Sequence, residues 1–401
     1  MWDTEPKQQP SPKSTRFFLD WLEQHALTGD VLRDAEDIIL NAEQEANEVK
    51  HFRTTVQTPP WHSEGPTVWF HVRRILSGVL AITNGADVCE IEEFAREKLF
   101  DEEVKEIGLT IRENAGSMIT LALVHDLAKP DTVSLEAPQD SKGGAEGFLL
   151  HKRKREVAST SEQEHVMKLF RAFEANHQGL DQSRLTADFY DEYEIQSHYN
   201  KHDQIGASDK YEIVRETIGR MYHLSSDDLV RVQLIVKYHI EFLSAFSEKP
   251  SVAKYRLFHE RASRAGLDAD DFLDLLLAFT FLDSVVGCYV YRDGSFSAQT
   301  QVITNFLQSE FDAAPHRRLR RRENKDLQVR KRRKVALRTA KLLGDDIFSL
   351  LEIPFGPGRG EVVEKINRLV EDSSLEIDFG THTQEMTARI NEARHLLTLV
   401  R

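Results

Sequence analysis

Cysteine is almost missing from this chain: Cys89 and Cys288 are the only two in 401 residues, far apart and in no Cys-x-x-Cys pattern. That excludes a disulfide framework, a zinc ribbon and a redox dithiol, and it fits a reducing cytoplasm. The start has no apolar core of a leader; MWDTEPKQQPSPKSTR reads as a polar, proline-bearing tail, and no secretory signal is expected. An uninterrupted membrane-length run is missing too. The longest candidate, 275–291, carries Asp283 at its middle and follows Asp271 and Asp274, which predicts a buried helix bearing a buried carboxylate. Positive charge is also in deficit. With 52 Lys and Arg against 66 Asp and Glu the formal charge is −14, so no global field draws the chain to nucleic acid or anionic lipid, and any basic surface must be local. What is present, 40% hydrophobic and 29% charged residues, suits a soluble globular protein of two or three domains.

Apolar residues recur at spacings of three and four nearly everywhere, as in Phe17, Trp21 and Leu22 or Leu229, Val232, Ile235 and Val236. This is helical periodicity, and strand-like alternation is scarce, so an all-α fold is expected. The pattern fails over about 131–197, where Gly143-Gly144, a basic knot at 151–155 and a Ser/Thr cluster at 159–161 intervene. An insertion of loops is expected there, with one helix near 162–175 and a short strand or two around 190–195. It either covers a site as a lid or is a surface elaboration, since insertions in loops cost little. Further on, residues 317–341 hold 13 Lys and Arg and two acids, leaving about −25 on the rest of the chain. After this basic stretch, LLGDDIFSLLEIPFGPGRGEVVEKINRLVED reads as helix, Pro/Gly turn and helix.

Sixteen histidines make any single one uninformative, and for each alone a structural role is the default. Four settings stand out together: His71 in TVWFHVRRIL, His125-Asp126 in LALVHDLAKP, His202-Asp203 in NKHDQIGA, and His239 in LIVKYHIEF. Asp283 in LLLAFTFLDSVVG adds a carboxylate where an apolar residue is expected. Burying several imidazoles and carboxylates in a helical core is costly unless a multivalent cation satisfies them. Imidazole nitrogens and carboxylate oxygens suit Mn, Fe, Co, Ni, Zn or Mg, and such a site with open positions binds phosphate and acidifies a water. Lys129, three residues after Asp126, would place an ammonium beside the same site to neutralise a phosphoryl oxygen.

These residues, in the order H…HD…H…H…D over 61–287, resemble the signature of the HD superfamily of metal-dependent phosphohydrolases. The resemblance implies that His71, His125, Asp126 and Asp283 bind a principal metal and that His202 and His239 hold a second metal or the phosphate. Lys129 would contact phosphate; Lys129, His202 and His239 are then the groups nearest the chemistry. Within the superfamily, WHSEGPTVWFH, HDLAKPDT, HDQIGA and the C-terminal stretch are similar to the HD domain and tail of bacterial CCA-adding tRNA nucleotidyltransferases. The departure is at the front: the sixty or so preceding residues cannot house a nucleotidyltransferase head, so nucleotide addition is not expected. Glu376-Ile-Asp378 and the glycines at 356–360 imitate a catalytic strand and a phosphate loop, and neither is assigned a role.

The expected organisation is a disordered tail (1–14), an N-terminal helical segment (15–60), an HD core (61–300, with the insertion at 131–197) and a basic helix with a C-terminal helical module (301–401). The expected activity is metal-dependent hydrolysis of a phosphate ester, by resemblance a nucleotide or a 2′,3′-cyclic phosphate at an RNA end, with one or two divalent ions per chain. A (p)ppGpp or deoxynucleoside triphosphate hydrolase shares this chemistry. The rival from another class is a non-catalytic tRNA- or RNA-binding protein gripping through Arg317, Arg318, Arg320, Arg321, Arg322, Arg330, Lys331, Arg332, Arg333 and Lys334. Arginine binds phosphate bidentately, and with no aromatic residue interleaved such contact would be sequence-tolerant. Pairing of this stretch with an acidic surface, or a nuclear-localisation reading of RKRRK, are the alternatives. No membrane contact is expected.

Overall fold

A computed structural model of the chain describes residues 51–59, 62–88, 101–148, 156–288, 290–292, 295–297, 300–315 and 317. The polar tail, most of the N-terminal segment, Cys89, the motifs at 356–360 and 376–378, the C-terminal module and, apart from Arg317, the basic residues named above lie outside the described residues. The chain divides into two compact units, Met1–Ala313 and Ala314–Arg401.

The described part is all-α, with two small antiparallel strand pairs. The helices that matter first are α1 (Val68–Thr83), α2 (Asp101–Glu113) and α3 (Ala115–Val124). In α3 every residue from Ser117 to Val124 is buried, as expected for a sequence apolar on all faces, and it becomes the central rod of the unit. After the insertion come α7 (His202–Gly206), α8 (Glu212–Met221), α9 (Ser226–Phe246), α10 (Val252–Arg264), α11 (Ala269–Phe281) and α12 (Gln301–Ala313). Helices α1, α8 and α9 pack around α3. An aromatic cluster of Phe242, Phe246, Phe258 and Phe306 ties α9, α10 and α12 together with ring centroids 5.0–6.2 Å apart.

Local signals set the boundaries. Helix α9 begins at a capping box in which the Ser225 hydroxyl accepts from the Asp228 amide while Asp228 accepts from Ser225. Helix α11 begins where Asp268 accepts from the amides of Asp270 and Asp271. It ends differently from the expected helix over 275–291. After Phe281 the chain widens into a π-helical turn, Leu282–Gly287, Cys288 is extended, and β3 (Val290–Arg292) pairs with β4 (Ser295–Ser297). Asp283 is buried in that π turn, so the buried carboxylate of the sequence reading is present on a shorter helix.

The insertion is more ordered than its composition suggests. Strands β1 (Val133–Glu136) and β2 (Gln196–Tyr199) pair in the register Val133↔Tyr199 to Glu136↔Gln196. Between them lie α4 (Lys142–Ala145), α5 (Thr160–Asn176) and α6 (Gln182–Tyr193), around a core of their own that includes Phe170, Phe173, Phe189, Tyr190 and Ile195. The strands expected at 190–195 are therefore corrected: Asp181 caps α6 at the Arg184 amide, Leu185 and Phe189 share its inner face, and the helix runs to Tyr193 before left-handed Glu194 turns the chain. The Gly-Gly pair is a close approach, since a Cβ on Gly144 would stand 2.1 Å from the Pro138 carbonyl oxygen. No helix among the described residues is long and apolar enough to cross a membrane.

Candidate metal centre

Each candidate side chain is delivered to one place by an element with a reason to end or turn there. Helix α1 carries His71, fully buried one turn in from its start. The end of α3 supplies His125 as its C-terminal cap, then Asp126, with Lys129 one turn on. His202 opens α7, directly after left-handed Lys201, and His239 lies on the inner face of α9. Asp283 comes from the π turn, an insertion type that recurs at functional sites because it re-aims a side chain without breaking the helix. This turn packs against α1, where Gly78 leaves room for Val286, and its end is tied down by Arg74 Nε donating to the Val286 carbonyl at 3.1 Å.

The imidazoles are oriented alike. Nδ1 of His125 lies 3.1 and 3.2 Å from the carbonyl oxygens of Leu121 and Ala122, Nδ1 of His202 lies 3.0 Å from that of Tyr199, and Nδ1 of His239 lies 2.7 Å from that of Val236. A carbonyl only accepts, so each Nδ1 carries a proton and donates it, which leaves Nε2 as the ring atom available to a metal. His71 follows the same plan with a carboxylate: Nδ1 is 3.3 Å from Glu64 Oε1. Histidines that bind metals are held in this manner.

The other ends converge. Nε2 of His71 is 3.0 Å from Asp283 Oδ1, 3.3 Å from Nε2 of His125 and 4.0 Å from Asp126 Oδ2. Nε2 of His125 is 3.1 Å from Asp126 Oδ2, and Nε2 of His202 is 3.3 Å from Asp126 Oδ1. The His239 ring stacks edge-on to both His125 and His202 at 5.6 and 5.4 Å. Two atoms here, Asp126 Oδ2 and His202 Nε2, are buried without an aligned hydrogen bond, which is how donor atoms facing a metal position are left. Two ligand atoms each about 2.1 Å from one ion stand ~3.0 Å apart at a right angle and ~3.4 Å apart at a tetrahedral one, and of these separations all but the 4.0 Å between His71 and Asp126 fall in that range. Two triplets, His71–His125–Asp126 and Asp126–His202–His239, could each hold a metal ion, with Asp126 common to both.

Charge follows the same logic. Burial pushes Asp126 toward protonation, but His125, Lys129 and His202 outweigh it and hold the carboxyl well below the usual range. Asp283 is likewise held low against burial, chiefly by His71. His239 is pushed down to about 3, first by burial and then by neighbouring His202, which keeps it neutral. Burial opposes a charged His71, yet Cys288, Asp283 and Glu64 hold it above its ordinary value. Lys129 Nζ lies 2.7 Å from Asp126 Oδ2, donates to Gln57 Oε1 at 3.1 Å and sits 4.7 Å from the centre of the Tyr199 ring. Tyr199 closes β2 and its carbonyl anchors His202, so the inserted segment forms one wall of the site.

All seven expected site residues, His71, His125, Asp126, Lys129, His202, His239 and Asp283, are thus brought together. Missed by the sequence reading are Gln57, His62, Glu64, Tyr199 and Cys288. Glu64 Oε1 accepts from Gln57 Nε2 at 2.7 Å and faces Nδ1 of His62 at 3.0 Å, and its carboxyl is held low, against burial, by His62 and His71. The usable signal was a histidine and an acid two apart in WHSEGP, just ahead of α1; Cys288 gave none beyond its place after Gly287. Among the basic residues expected to meet RNA, only Arg317 is described. In comparisons with known proteins, the chain matches no family model, no curated protein and no solved structure.

Proposed function

We propose that this protein is a metal-dependent phosphohydrolase of the HD type. The observation that carries the reading is a shared orientation: buried His125, His202 and His239 have Nδ1 held by backbone carbonyls, His71 has Nδ1 beside Glu64, and Nε2 of His71, His125 and His202 is turned toward Asp126 and Asp283. His71, His125, Asp126 and Asp283 would hold the principal ion, and His202 and His239, through Asp126, a second ion or a phosphate. A divalent ion bound there polarises a phosphoryl oxygen and lowers the pKa of a water. The chain supplies the rest. His239, kept neutral by burial, offers a lone pair and no repelling charge, Lys129 brings a buried cation to the carboxylate edge where phosphoryl charge would develop, and Tyr199, its phenol pushed up by burial, stays neutral as the wall beside it. Depressed Asp126 and Asp283 remain anionic ligands through the neutral range.

The substrate class, a nucleotide or a 2′,3′-cyclic RNA-end phosphate, rests on the resemblance in sequence. The test is hydrolysis of bis-p-nitrophenyl phosphate and 2′,3′-cyclic AMP by the chelated protein with Mn, Ni, Co or Mg restored. Metal-dependent turnover abolished in Asp126→Ala supports the reading; turnover that is absent with every metal, or unchanged in Asp126→Ala, contradicts it.

A further inference from the structure

Behind His71, on the side away from Asp126, a second group of donors closes on itself. Nδ1 of His62 lies 3.0 Å from Glu64 Oε1 and 3.5 Å from Cys288 Sγ; Nδ1 of His71 lies 3.3 Å from the same carboxylate oxygen and 3.7 Å from the same sulfur. One donor atom from each of these four residues falls within 4.8 Å of the other three, and Glu64, His71 and Cys288 are buried. In a tetrahedral site with nitrogen and oxygen about 2.0–2.1 Å and sulfur about 2.3 Å from the ion, N···O edges are ~3.3 Å and N···S edges ~3.6 Å. The observed edges, 3.0 and 3.3 Å for N···O and 3.5 and 3.7 Å for N···S, lie close to these values.

We infer that His62, Glu64, Cys288 and Nδ1 of His71 form a second, thiolate-bearing metal site that takes a divalent ion of the Zn2+ or Co2+ class, with the His71 ring bridging it to the centre at Nε2. Binding forms one metal–sulfur bond, two metal–nitrogen bonds and one metal–oxygen bond. The Cys288 thiol proton leaves to solvent, and so do both ring protons of His71, from Nδ1 on binding here and from Nε2 on binding at the first centre, while His62 moves its proton to Nε2. The ligand set differs in kind from the first centre: sulfur selects borderline and soft ions, where nitrogen and carboxylate alone accept Mn or Mg.

This site stands independently of the hydrolase reading, and cobalt separates the two. The full chain, stripped with chelator, is titrated with Co2+ and followed in the near ultraviolet, where thiolate ligation gives a charge-transfer band, and by metal analysis. The expected result is a band that saturates with one equivalent, is lost in Cys288→Ser together with one bound cobalt, and persists in Asp126→Asn/Asp283→Asn. His62→Gln, a milder change should Cys288→Ser fold poorly, weakens the band's cobalt affinity tenfold or more. No band in the folded wild-type protein at saturation, or a band lost in the Asp126/Asp283 variant, overturns the inference. A band without hydrolysis by any metal leaves this site standing and removes only the hydrolase reading.

Discussion

Asp126 and Lys129 form the test of whether the buried charges are mutually dependent. In the metal-free protein, Lys129 is 2% exposed, and among the described residues it pairs with Asp126 at 2.7 Å and donates to Gln57. Replacing Asp126 with Ala leaves that ammonium buried without a counter-charge, and breaking a buried pair from one side costs about 3–5 kcal/mol. Lys129→Met leaves the carboxylate with His125 and His202 at 3.1 and 3.3 Å, so its cost should be smaller, about 1–3 kcal/mol. In the double variant Asp126→Ala/Lys129→Met no charge of the pair is left stranded, and it should recover about 1–3 kcal/mol relative to the sum of the singles. Urea unfolding in chelator measures all four corners of the cycle. A cost below about 1 kcal/mol for Asp126→Ala, or additive singles, would refute the claim that this carboxylate is held in place by buried partners.

Further predictions cover packing, pH and capping. A Cβ on Gly287 would stand 2.6 Å from Cε1 and 2.9 Å from Nδ1 of His71, so Gly287→Ala should cost about 1–3 kcal/mol in urea unfolding and weaken metal binding; unchanged metal affinity would show that the ring's place is not critical. In chelator, His239 is depressed in the fold and takes up a proton on unfolding between about pH 6.5 and about 3, so its contribution is lost on acidification at ~1.4 kcal/mol per pH unit. His239→Asn should therefore show a shallower loss of stability from pH 6 to pH 5 than the wild type, and equal slopes would exclude a buried neutral His239. Ser225→Ala removes the cap of α9 and should cost ~1 kcal/mol with metal content unaltered, which serves as a control for fold-only damage.

The helical class, and the residues that the fold gathers around Asp126, were legible where they broke a pattern: Asp283 in an otherwise apolar helix, His125-Asp126 at the end of a run with no polar face. What was not legible depended on distance or on geometry that carries no periodicity. His62 and Cys288 meet across 226 residues, and nothing in either neighbourhood names the other. The six-residue π turn that aims Asp283 looks, in sequence, like a plain continuation of α11. In the insertion, Gly143-Gly144 and the Ser/Thr cluster read as loop signals, although Ser159 is the cap of α5 through its reciprocal bonds with Glu162. Helix α6 was missed because its polar outer face dominates QSRLTADFYDEY, leaving only Leu185 and Phe189, with Tyr190, to mark its buried side.

The central claim, that His71, His125, Asp126 and Asp283 with His202 and His239 hold divalent metal, is tested most directly by counting it. Elemental mass spectrometry of the purified full chain should find at least one divalent ion per chain, and Asp126→Ala/Asp283→Asn, folded by circular dichroism, should lose it from this centre. Metal-free wild-type protein that takes up no ion when Mn, Fe, Co, Ni and Zn are supplied, or metal content unchanged in the folded double variant, would contradict the account.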